Sequence, residues 1–260
     1  MESYNETSNQ LDSIKNRIQI KEFKHNQKES SQFIYVPNYL DSKQLETISK
    51  YLDDITDFRC NMNYKNNGPN RLQKWYQQEN KYFCPLWKER FDWWEACPYD
   101  DFLQTFQDQL QSDISNVSRK SSKDSYYYRD PLSISELLRQ HDIKIPEINS
   151  CLINKYRDGS DFIAAHSDSY HSFGKYPTII GISIGDERVL KFKTVADNHQ
   201  KICGLSKNNK VNKDDEFQFN LESGSLFIMA GCSQKYFSHE ICKSDSMCSR
   251  YSLTFRNFIL

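Results

Sequence analysis

Residues 161–170 read DFIAAHSDSY, a short β-rich run that contains His166 and Asp168. Side chains two positions apart on an extended segment point to the same side, so this imidazole and this carboxylate can converge on one cation. A third ligand is available downstream in YFSHEI, where His239 stands. Two histidines and one carboxylate bind a metal on one face and leave its other positions open. On spacing alone, either histidine could equally be a hydrogen-bonded polar residue of the core.

From residue 149 onward, short β-rich runs alternate with turns of Gly, Asp and Ser. We predict eight strands, near 151–156, 162–166, 178–184, 187–194, 216–221, 225–229, 235–240 and 250–259. A long polar loop is expected at 197–215. Many short strands punctuated by turns are typical of a sandwich or barrel, here with helices packed in front of it.

The first half of the chain carries helical patterns instead. A capping box formed by Asp41 and Gln44 predicts the start of a helix over 42–53. Two further helices are predicted, one that places Phe102, Phe106 and Leu110 on one face and one at 135–140.

These patterns divide the chain into three parts. Residues 1–31 are polar, with few large apolar groups, and are expected to form a flexible arm. Residues 32–148 are expected to hold the helices, a substrate-recognition lid and a polar surface insertion at 112–130. Residues 149–260 are expected to form the β core.

The last predicted strand, RYSLTFR, carries Arg250 and Arg256 six positions apart, so both side chains face one side of the sheet. Arginines directed into a barrel are costly unless they pair with anions, and a buried dicarboxylate would supply such a partner. The alternative is that both arginines lie on the exposed face of an edge strand.

The 260 residues carry 34 Lys and Arg against 35 Asp and Glu, so the net charge of −1 provides no overall attraction to a polyanion. Residues 59–91 differ, with seven basic residues against two acidic ones and many interleaved aromatic residues. Such a segment is typical of nucleic-acid binding by base stacking, although dense aromatic residues also pack helices onto sheets. We expect Trp75 and Tyr76 to be exposed, since they stand among charged residues and Gln.

The sequence has no run of ~20 apolar residues and no apolar secretory segment after Met1. Its eight cysteines form no Cys-x-x-Cys pair, so they are expected to be reduced thiols and not metal ligands. We therefore expect an intracellular protein of the cytoplasm or nucleus, with no membrane association.

Taken in order, the motifs resemble those of the AlkB-like Fe(II)/2-oxoglutarate-dependent dioxygenases. The resemblance is strong over about 150–260 and weaker over about 33–110. It is carried by NKYRDG (154–159), HSD (166–168), PTI (177–179), SIG (183–185), GSL (224–226), GCSQ (231–234), His239 and RYSLTFR (250–256).

The resemblance implies an α+β fold, with a double-stranded β-helix (jelly-roll, cupin-like) core behind an N-terminal helical and lid layer. It implies that His166, Asp168 and His239 bind Fe(II). The positions that match the family's 2-oxoglutarate site are Asn154, Tyr156, Arg250, Ser252 and Arg256. Arg250 then binds the distal carboxylate and Arg256 lies nearer the metal. Ser252 departs from the family's usual Asn, which should weaken the co-substrate site without abolishing it.

The activity implied is oxidative demethylation of N-alkylated bases in DNA or RNA, which uses O₂ and releases succinate, CO₂ and formaldehyde. NRLQKWY (70–76) resembles the family's nucleotide-recognition segment, so Arg71, Trp75 and Tyr76 are candidate substrate residues. Tyr170 is a fourth candidate, and it stands where nucleic-acid demethylases of the family often carry an acidic residue. That departure leaves open a hydroxylase or demethylase that acts on a protein or small molecule. A nucleic-acid binding module without catalysis is a third class, which the complete ligand set disfavours.

Overall fold

A computed structural model of the protein describes residues 16–60, 71–78, 95–115, 134–195 and 216–259. The strands are β1 (Gln19–Lys24), β2 (Ser30–Val36), β3 (Arg59–Cys60), β4 (Leu72–Gln77), β5 (Ser150–Tyr156), β6 (Ile163–His166), β7 (Ile179–Gly185), β8 (Arg188–Thr194), β9 (Glu216–Leu221), β10 (Leu226–Gly231), β11 (Phe237–Ile241) and β12 (Arg250–Arg256). The helices are α1 (Ser42–Asp53), α2 (Asp101–Ile114), α3 (Ile134–Gln140), α4 (Tyr170–Phe173) and α5 (Ser233–Tyr236).

The strands form two antiparallel sheets. The larger sheet has the order β1-β2-β10-β7-β12-β5-β4-β3, and the smaller has the order β6-β11-β8-β9. The eight strands predicted after residue 149 are confirmed as β5 to β12, with small differences at their ends. Several neighbouring pairs, such as β2 with β10, β12 with β5 and β6 with β11, join strands that are far apart in sequence, so distant segments of the chain lie side by side.

Alternation along β12 shows how the large sheet separates two environments. Tyr251, Leu253 and Phe255 pack in a core that α1 and α2 also enter. The intervening residues Arg250, Ser252, Thr254 and Arg256 line a cavity on the other face. Because successive side chains of a strand point to opposite faces, one strand supplies both a hydrophobic core and a polar site.

A second core fills the space between the two sheets and is rich in aromatic residues. Phe33 of β2 lies 4.7 Å from Phe192 and 5.3 Å from Phe237, measured between ring centroids. Phe33 belongs to the large sheet, whereas the other two rings belong to the small sheet. Offset and edge-on ring contacts of this kind hold the sheets together.

The predicted start of α1 is confirmed in atomic detail. The Asp41 side chain accepts a hydrogen bond from the Gln44 backbone N–H at 2.8 Å, and the Gln44 side chain accepts one from the Asp41 N–H at 2.9 Å. Two backbone donors at the helix start are thus satisfied reciprocally.

The expectation of a flexible arm through residue 31 is wrong for the part that the structure describes. β1 pairs antiparallel with β2 along its whole length. Phe23 of β1 stacks on Phe217 with centroids 5.0 Å apart. An edge strand needs only one buried face. The outward residues of β1 are polar, so the composition of this segment resembled that of a flexible arm. The first fifteen residues lie outside the described ranges.

The polar insertion also begins later than predicted. α2 continues to Ile114, and both Asp113 and Ile114 are buried. Residues 116–130 and the predicted loop at 197–215 lie outside the described ranges. Within those ranges, no helix combines the length and apolar character needed to cross a membrane.

Candidate metal centre and co-substrate cavity

The two histidines predicted as ligands lie directly opposite each other. His166 ends β6, His239 lies within β11, and the antiparallel register pairs the two residues. Asp168 follows β6 by two residues. The three side chains offer ligand atoms that all lie within 4.8 Å of one another, and no other such His/Cys/Asp/Glu group occurs in the described part of the chain.

Hydrogen bonds orient these side chains. The Nδ1 of His166 lies 2.9 Å from the carbonyl oxygen of Ala164, to which it donates, so the lone pair is on Nε2. That Nε2 is 3.6 Å from Oδ1 of Asp168. The backbone N–H of Asp168 donates to Oε1 of the buried Gln234 at 2.8 Å. The loop that carries the carboxylate is therefore held by a side chain from α5.

The charge states suit a divalent cation. Burial alone would raise the pKa of Asp168, but the Arg256 and histidine side chains outweigh it and hold this pKa well below its usual range. Arg256 donates from Nε to Oδ2 of Asp168 at 2.7 Å. Burial, with help from His166, lowers the pKa of His239 to about 3, so its ring is neutral at pH 7.

The residues fit a bound Fe(II). A carboxylate and two neutral imidazoles are the facial ligand set of non-haem iron, and ligands must be deprotonated to bind. Nδ1 of His239 is buried and has no hydrogen-bond partner among the described residues. Burying a nitrogen without a hydrogen-bond partner costs free energy. A ligand-binding role for this ring accounts for that cost.

A cavity of about 300 Å³ extends from this centre between the sheets. Its polar walls come mainly from β12, β5 and residues 166–169, and its apolar walls include Ile179, Leu190, Leu221 and Phe227. The cavity is the size expected for a small dicarboxylate with part of a substrate.

Arg250 provides a buried positive charge in this cavity. It is 1% exposed and donates from Nη2 to Oγ of Ser183 at 3.0 Å. Among the described residues, its buried Nε and Nη1 have no hydrogen-bond partner, and neither does the buried hydroxyl of Tyr156. Burial lowers the pKa of Arg250, yet a guanidinium stays charged in proteins. Unused donors around a buried cation fit a carboxylate.

Asn154 and Ser252 lie side by side in this wall, because their strands pair in register. Oδ1 of Asn154 accepts hydrogen bonds from Nε of Arg71 at 2.8 Å and from Nε2 of Gln73 at 3.0 Å. The amide oxygen is thereby occupied, which orients the amide NH₂ group. The hydroxyl of Ser252 lies 3.4 Å from that of Thr254.

The candidate substrate residues are not brought together. Trp75 and Tyr76 are each 3% exposed, so the expectation that they are exposed is wrong. Trp75 packs with Phe173 and Phe258, whereas Tyr76 belongs to the core shared with the helices. Successive side chains of β4 point to opposite faces of the sheet, and both faces are covered here by hydrophobic clusters.

The other two candidates are placed differently. Arg71 lines the cavity, and Tyr170 at the start of α4 is 38% exposed. Of the basic residues of 59–91, the structure describes Arg59, Arg71 and Lys74. The other basic residues and the three remaining tryptophans lie outside the described ranges.

Residue patterns did not reveal Ser183, Gln234 or the Asn154 partner Gln73 as parts of the site. Ser183 and Gln234 fall within the motifs SIG and GCSQ, but nothing in one sequence assigns such residues a contact. Ser183 pairs with Ser252 in the β12–β7 register. The alternation of side chains along β7 could therefore have identified Ser183 as a residue on the same face as Ser252.

Comparison with known proteins agrees with this geometry. The model of the 2OG-Fe(II) oxygenase superfamily matches residues 32–256. The DNA oxidative demethylase ALKBH2 of Arabidopsis thaliana is 32% identical over 142 residues, which cover 51% of this chain and 45% of that protein. Alpha-ketoglutarate-dependent dioxygenase alkB homolog 3 of Mus musculus is 32% identical over 109 residues, which cover 42% of this chain and 36% of that protein.

In both cases the matched region spans less than half of the relative's own length. The solved structure of OsALKBH1 superposes with a TM-score of 0.50 at 15% identity and covers 86% of this chain and 97% of that chain. This likeness concerns the fold alone, and it agrees with the predicted double-stranded β-helix core. Membership of the superfamily implies Fe(II), 2-oxoglutarate and O₂ as the reactive groups. Because the family model spans most of the sequence, the chain belongs to the 2OG-Fe(II) oxygenase superfamily, within which it is AlkB-like.

Proposed function

We propose that the protein oxidatively demethylates N-alkylated bases in DNA or RNA. The observation that carries this proposal is the group of His166, Asp168 and His239 at a cavity that also contains the unsatisfied cation Arg250. Relatives named as a DNA oxidative demethylase and as an alkB homolog support the choice of substrate.

In this proposal 2-oxoglutarate binds with its distal carboxylate at Arg250. The donors there are the free N–H groups of Arg250, the hydroxyl of Tyr156 and the hydroxyl of Ser183. Asn154 contributes its amide NH₂, since its oxygen is already occupied by Arg71 and Gln73. Ser252 contributes a hydroxyl where the family usually has an amide.

Arg256 acts at the other end of β12. Its bond to Asp168 keeps the carboxylate ionised and fixes one of its oxygens. The remaining oxygen faces His166, which is held by the carbonyl of Ala164. The chain thus keeps Asp168 ionised and His239 neutral and orients all three side chains before a metal binds, so little reorganisation accompanies metal binding.

Bound Fe(II) supplies the oxidation: one oxygen of O₂ converts 2-oxoglutarate to succinate and CO₂, and the other enters a C–H bond of an N-methyl group. The hydroxymethyl product then splits into formaldehyde and the N–H base. The apolar walls near His239, among them Leu190 and Phe227, exclude bulk water from the reacting groups.

Arg71 and Tyr170 remain the candidate substrate residues in this proposal. Arg71 presents a cation at the cavity wall, and Tyr170 presents a partly exposed ring two residues beyond Asp168. Stacking of a base on Trp75 or Tyr76 forms no part of the proposal, because both rings are buried in hydrophobic cores.

The test is formaldehyde release. Purified protein is incubated with Fe(II), O₂, 2-oxoglutarate and a panel of methylated DNA and RNA oligonucleotides, with His166→Ala as the inactive control. Equal amounts of succinate and formaldehyde on at least one oligonucleotide support the proposal. Decarboxylation of 2-oxoglutarate without formaldehyde on every oligonucleotide contradicts it.

A second candidate is a hydroxylase or demethylase of a protein or small molecule on the same iron centre. It is favoured by the burial of Trp75 and Tyr76, which removes two expected base-stacking residues, and by the exposed Tyr170. Affinity for oligonucleotides at increasing salt distinguishes the candidates. A nucleic-acid enzyme makes several phosphate contacts, so its binding weakens steeply with salt. Absence of measurable oligonucleotide binding favours the second candidate.

A further inference from the structure

Arg188, the first residue of β8, is a buried arginine outside the predicted site. It is 2% exposed. The hydrogen bonds that its guanidinium makes within the described residues go to backbone carbonyls and not to a carboxylate. They reach the carbonyl oxygens of Asp158, Gly159, Asp161 and Cys242.

These carbonyls belong to two segments, each of which directly follows a strand of the site. Residues 157–161 connect β5, which ends at Tyr156, to β6, which ends at His166. Cys242 directly follows β11, the strand of His239. One guanidinium therefore joins the ends of the co-substrate strand and a metal-ligand strand.

The two segments also contact each other directly through backbone hydrogen bonds. The N–H of Gly159 donates to the carbonyl of Ser246 at 2.7 Å, and the N–H of Ser244 donates to the carbonyl of Gly159 at 2.9 Å. A Cβ added to Gly159 would lie 2.2 Å from the Ser244 oxygen. Real Cβ atoms do not approach so closely, so glycine is required here by space.

Arg188 also contacts the wall of the cavity. Its guanidinium carbon lies 5.6 Å from the ring centroid of Tyr156, and that of Arg250 lies 5.1 Å from the same centroid. Tyr156 is 1% exposed, and its hydroxyl has no hydrogen-bond partner in the part of the chain that the structure describes. Both guanidinium groups therefore contact this ring, and cation–π attraction to both helps to set its direction.

We propose that Arg188 is a positioning residue for the co-substrate: it fixes the ring of Tyr156 and the adjoining segment so that Tyr156 and Arg250 together receive the distal carboxylate. This inference rests on the co-substrate site of the proposed function and does not depend on the methylated substrate. Arg188 acts through Tyr156, so it is not itself a catalytic residue.

The chemistry of the guanidinium group explains why arginine, and not lysine, suits position 188. A planar guanidinium has five donors in a fixed fork and can bridge several carbonyls at once. A lysine at this position keeps the charge but offers three donors from a single atom, so it cannot reach both segments in the same way. Lysine and methionine variants therefore separate the effect of charge from the effect of geometry.

The experiment measures ligand affinity by calorimetry on Mn(II)-loaded protein under anaerobic conditions. Two ligands are compared: 2-oxoglutarate, and oxalate, which chelates metal but lacks the distal group. The proteins are the unsubstituted chain, Arg188→Lys, Arg188→Met and, as a matched control, Arg139→Met on the surface of α3. Folding is monitored by circular dichroism and thermal unfolding.

We expect Arg188→Met to weaken 2-oxoglutarate binding about tenfold or more, as for other supporting residues around metal sites, with oxalate affinity unchanged. Arg188→Lys should be intermediate and Arg139→Met unchanged. Equal 2-oxoglutarate affinity in the Arg188 variants overturns the inference, as does an equal loss for both ligands, which indicates a general structural role.

If Arg188→Met does not fold, the inference is tested by the affinities of Arg188→Lys for the same two ligands. An unsubstituted protein that binds Mn(II) and oxalate but not 2-oxoglutarate overturns the proposed co-substrate site, and this inference with it.

Discussion

His166 and His239 are directly paired across the antiparallel strands β6 and β11, with their ring centroids 4.3 Å apart. The pairing places two imidazoles on one side of the small sheet. The distance between these two candidate ligands is therefore set by the spacing of the strands and not by a flexible loop. Sites built on strands hold their geometry more closely than sites built on loops.

The first prediction concerns the metal. His239→Ala should reduce Mn(II) affinity by more than about 100-fold, because a ligand contributes more than the outer residues whose loss gives 10–100-fold. Calorimetry or electron paramagnetic resonance of bound Mn(II) measures the effect. His141→Ala, a partly exposed histidine after α3, is the control and should bind normally. Equal affinity in His239→Ala would remove His239 from the ligand set.

The second prediction concerns the ion pair of Arg256 with Asp168. Arg256→Met leaves the carboxylate buried without its cation, so the free energy of unfolding of the metal-free protein should fall by ~3 kcal/mol at pH 7. The pKa of Asp168 lies below its ordinary 3.8 in the folded protein, so its contribution is present above about pH 4 and is lost as the pH falls further.

In Arg256→Met, only the histidines still oppose burial, so the pKa of Asp168 rises and the carboxyl takes up its proton at a higher pH. The stability difference between the two proteins should therefore shrink as the pH falls from 7 toward 4. Urea unfolding at several pH values measures it. Arg256→Lys keeps the charge and should lose less stability. A difference that is constant with pH would contradict this account.

The third prediction concerns the pH dependence caused by His239. Its pKa is about 3 in the folded protein and 6.5 in an unfolded chain, so between these values the unfolded state binds the extra proton. Stability of the metal-free protein should fall as the pH is lowered through this window, by up to about 1.4 kcal/mol per pH unit from this group.

His239→Phe removes the titrating group but keeps an apolar ring, so its stability should depend less on pH between 6.5 and 3. Chemical unfolding at several pH values provides the measurement. Parallel curves for the two proteins would show that His239 does not account for the dependence.

The fourth prediction is that replacing Arg250 changes stability and 2-oxoglutarate binding in opposite directions. Its buried Nε and Nη1 lack hydrogen-bond partners within the described ranges, and unsatisfied buried groups cost about 1–3 kcal/mol each. Arg250→Met should therefore stabilise the metal-free protein by about 1–3 kcal/mol while abolishing measurable 2-oxoglutarate binding. Mn(II) affinity should be unchanged, since Arg250 does not contact the ligands. Thermal unfolding and calorimetry test both halves, and a destabilised variant would contradict the first.

The fifth prediction concerns Gln234, whose Oε1 accepts the backbone N–H of Asp168. Gln234→Leu leaves this donor unsatisfied and should weaken Mn(II) binding about tenfold. Gln234→Glu retains an acceptor and serves as the matched control, with a smaller loss. If both variants bind Mn(II) like the unsubstituted protein, Gln234 does not position the ligand loop.

Local pattern was enough to predict much of this protein. The capping box of Asp41 with Gln44 and the strands β5 to β12 follow from hydrogen bonding and alternation within a few residues. The shared inward face of Arg250 and Arg256 follows from the same alternation. Such features depend on neighbours in the chain, and a sequence shows its neighbours directly.

Features that depend on distant pairing were not predictable in this way. β1 looked like a polar arm because only one of its faces is covered, and that face meets Phe217 from far along the chain. Trp75 and Tyr76 looked exposed because their neighbours are polar, yet hydrophobic clusters from distant parts of the chain cover both faces of β4.

The sequence by itself determined the ligand types, the alternation that turns arginines inward and the family to which the motifs point. Tertiary structure alone decided that His166 faces His239, that Gln234 holds Asp168, and that Arg188 joins two strand ends. The reason is physical: side-chain direction is a local property of a strand, whereas register, burial and unsatisfied donors arise only when distant strands pack together.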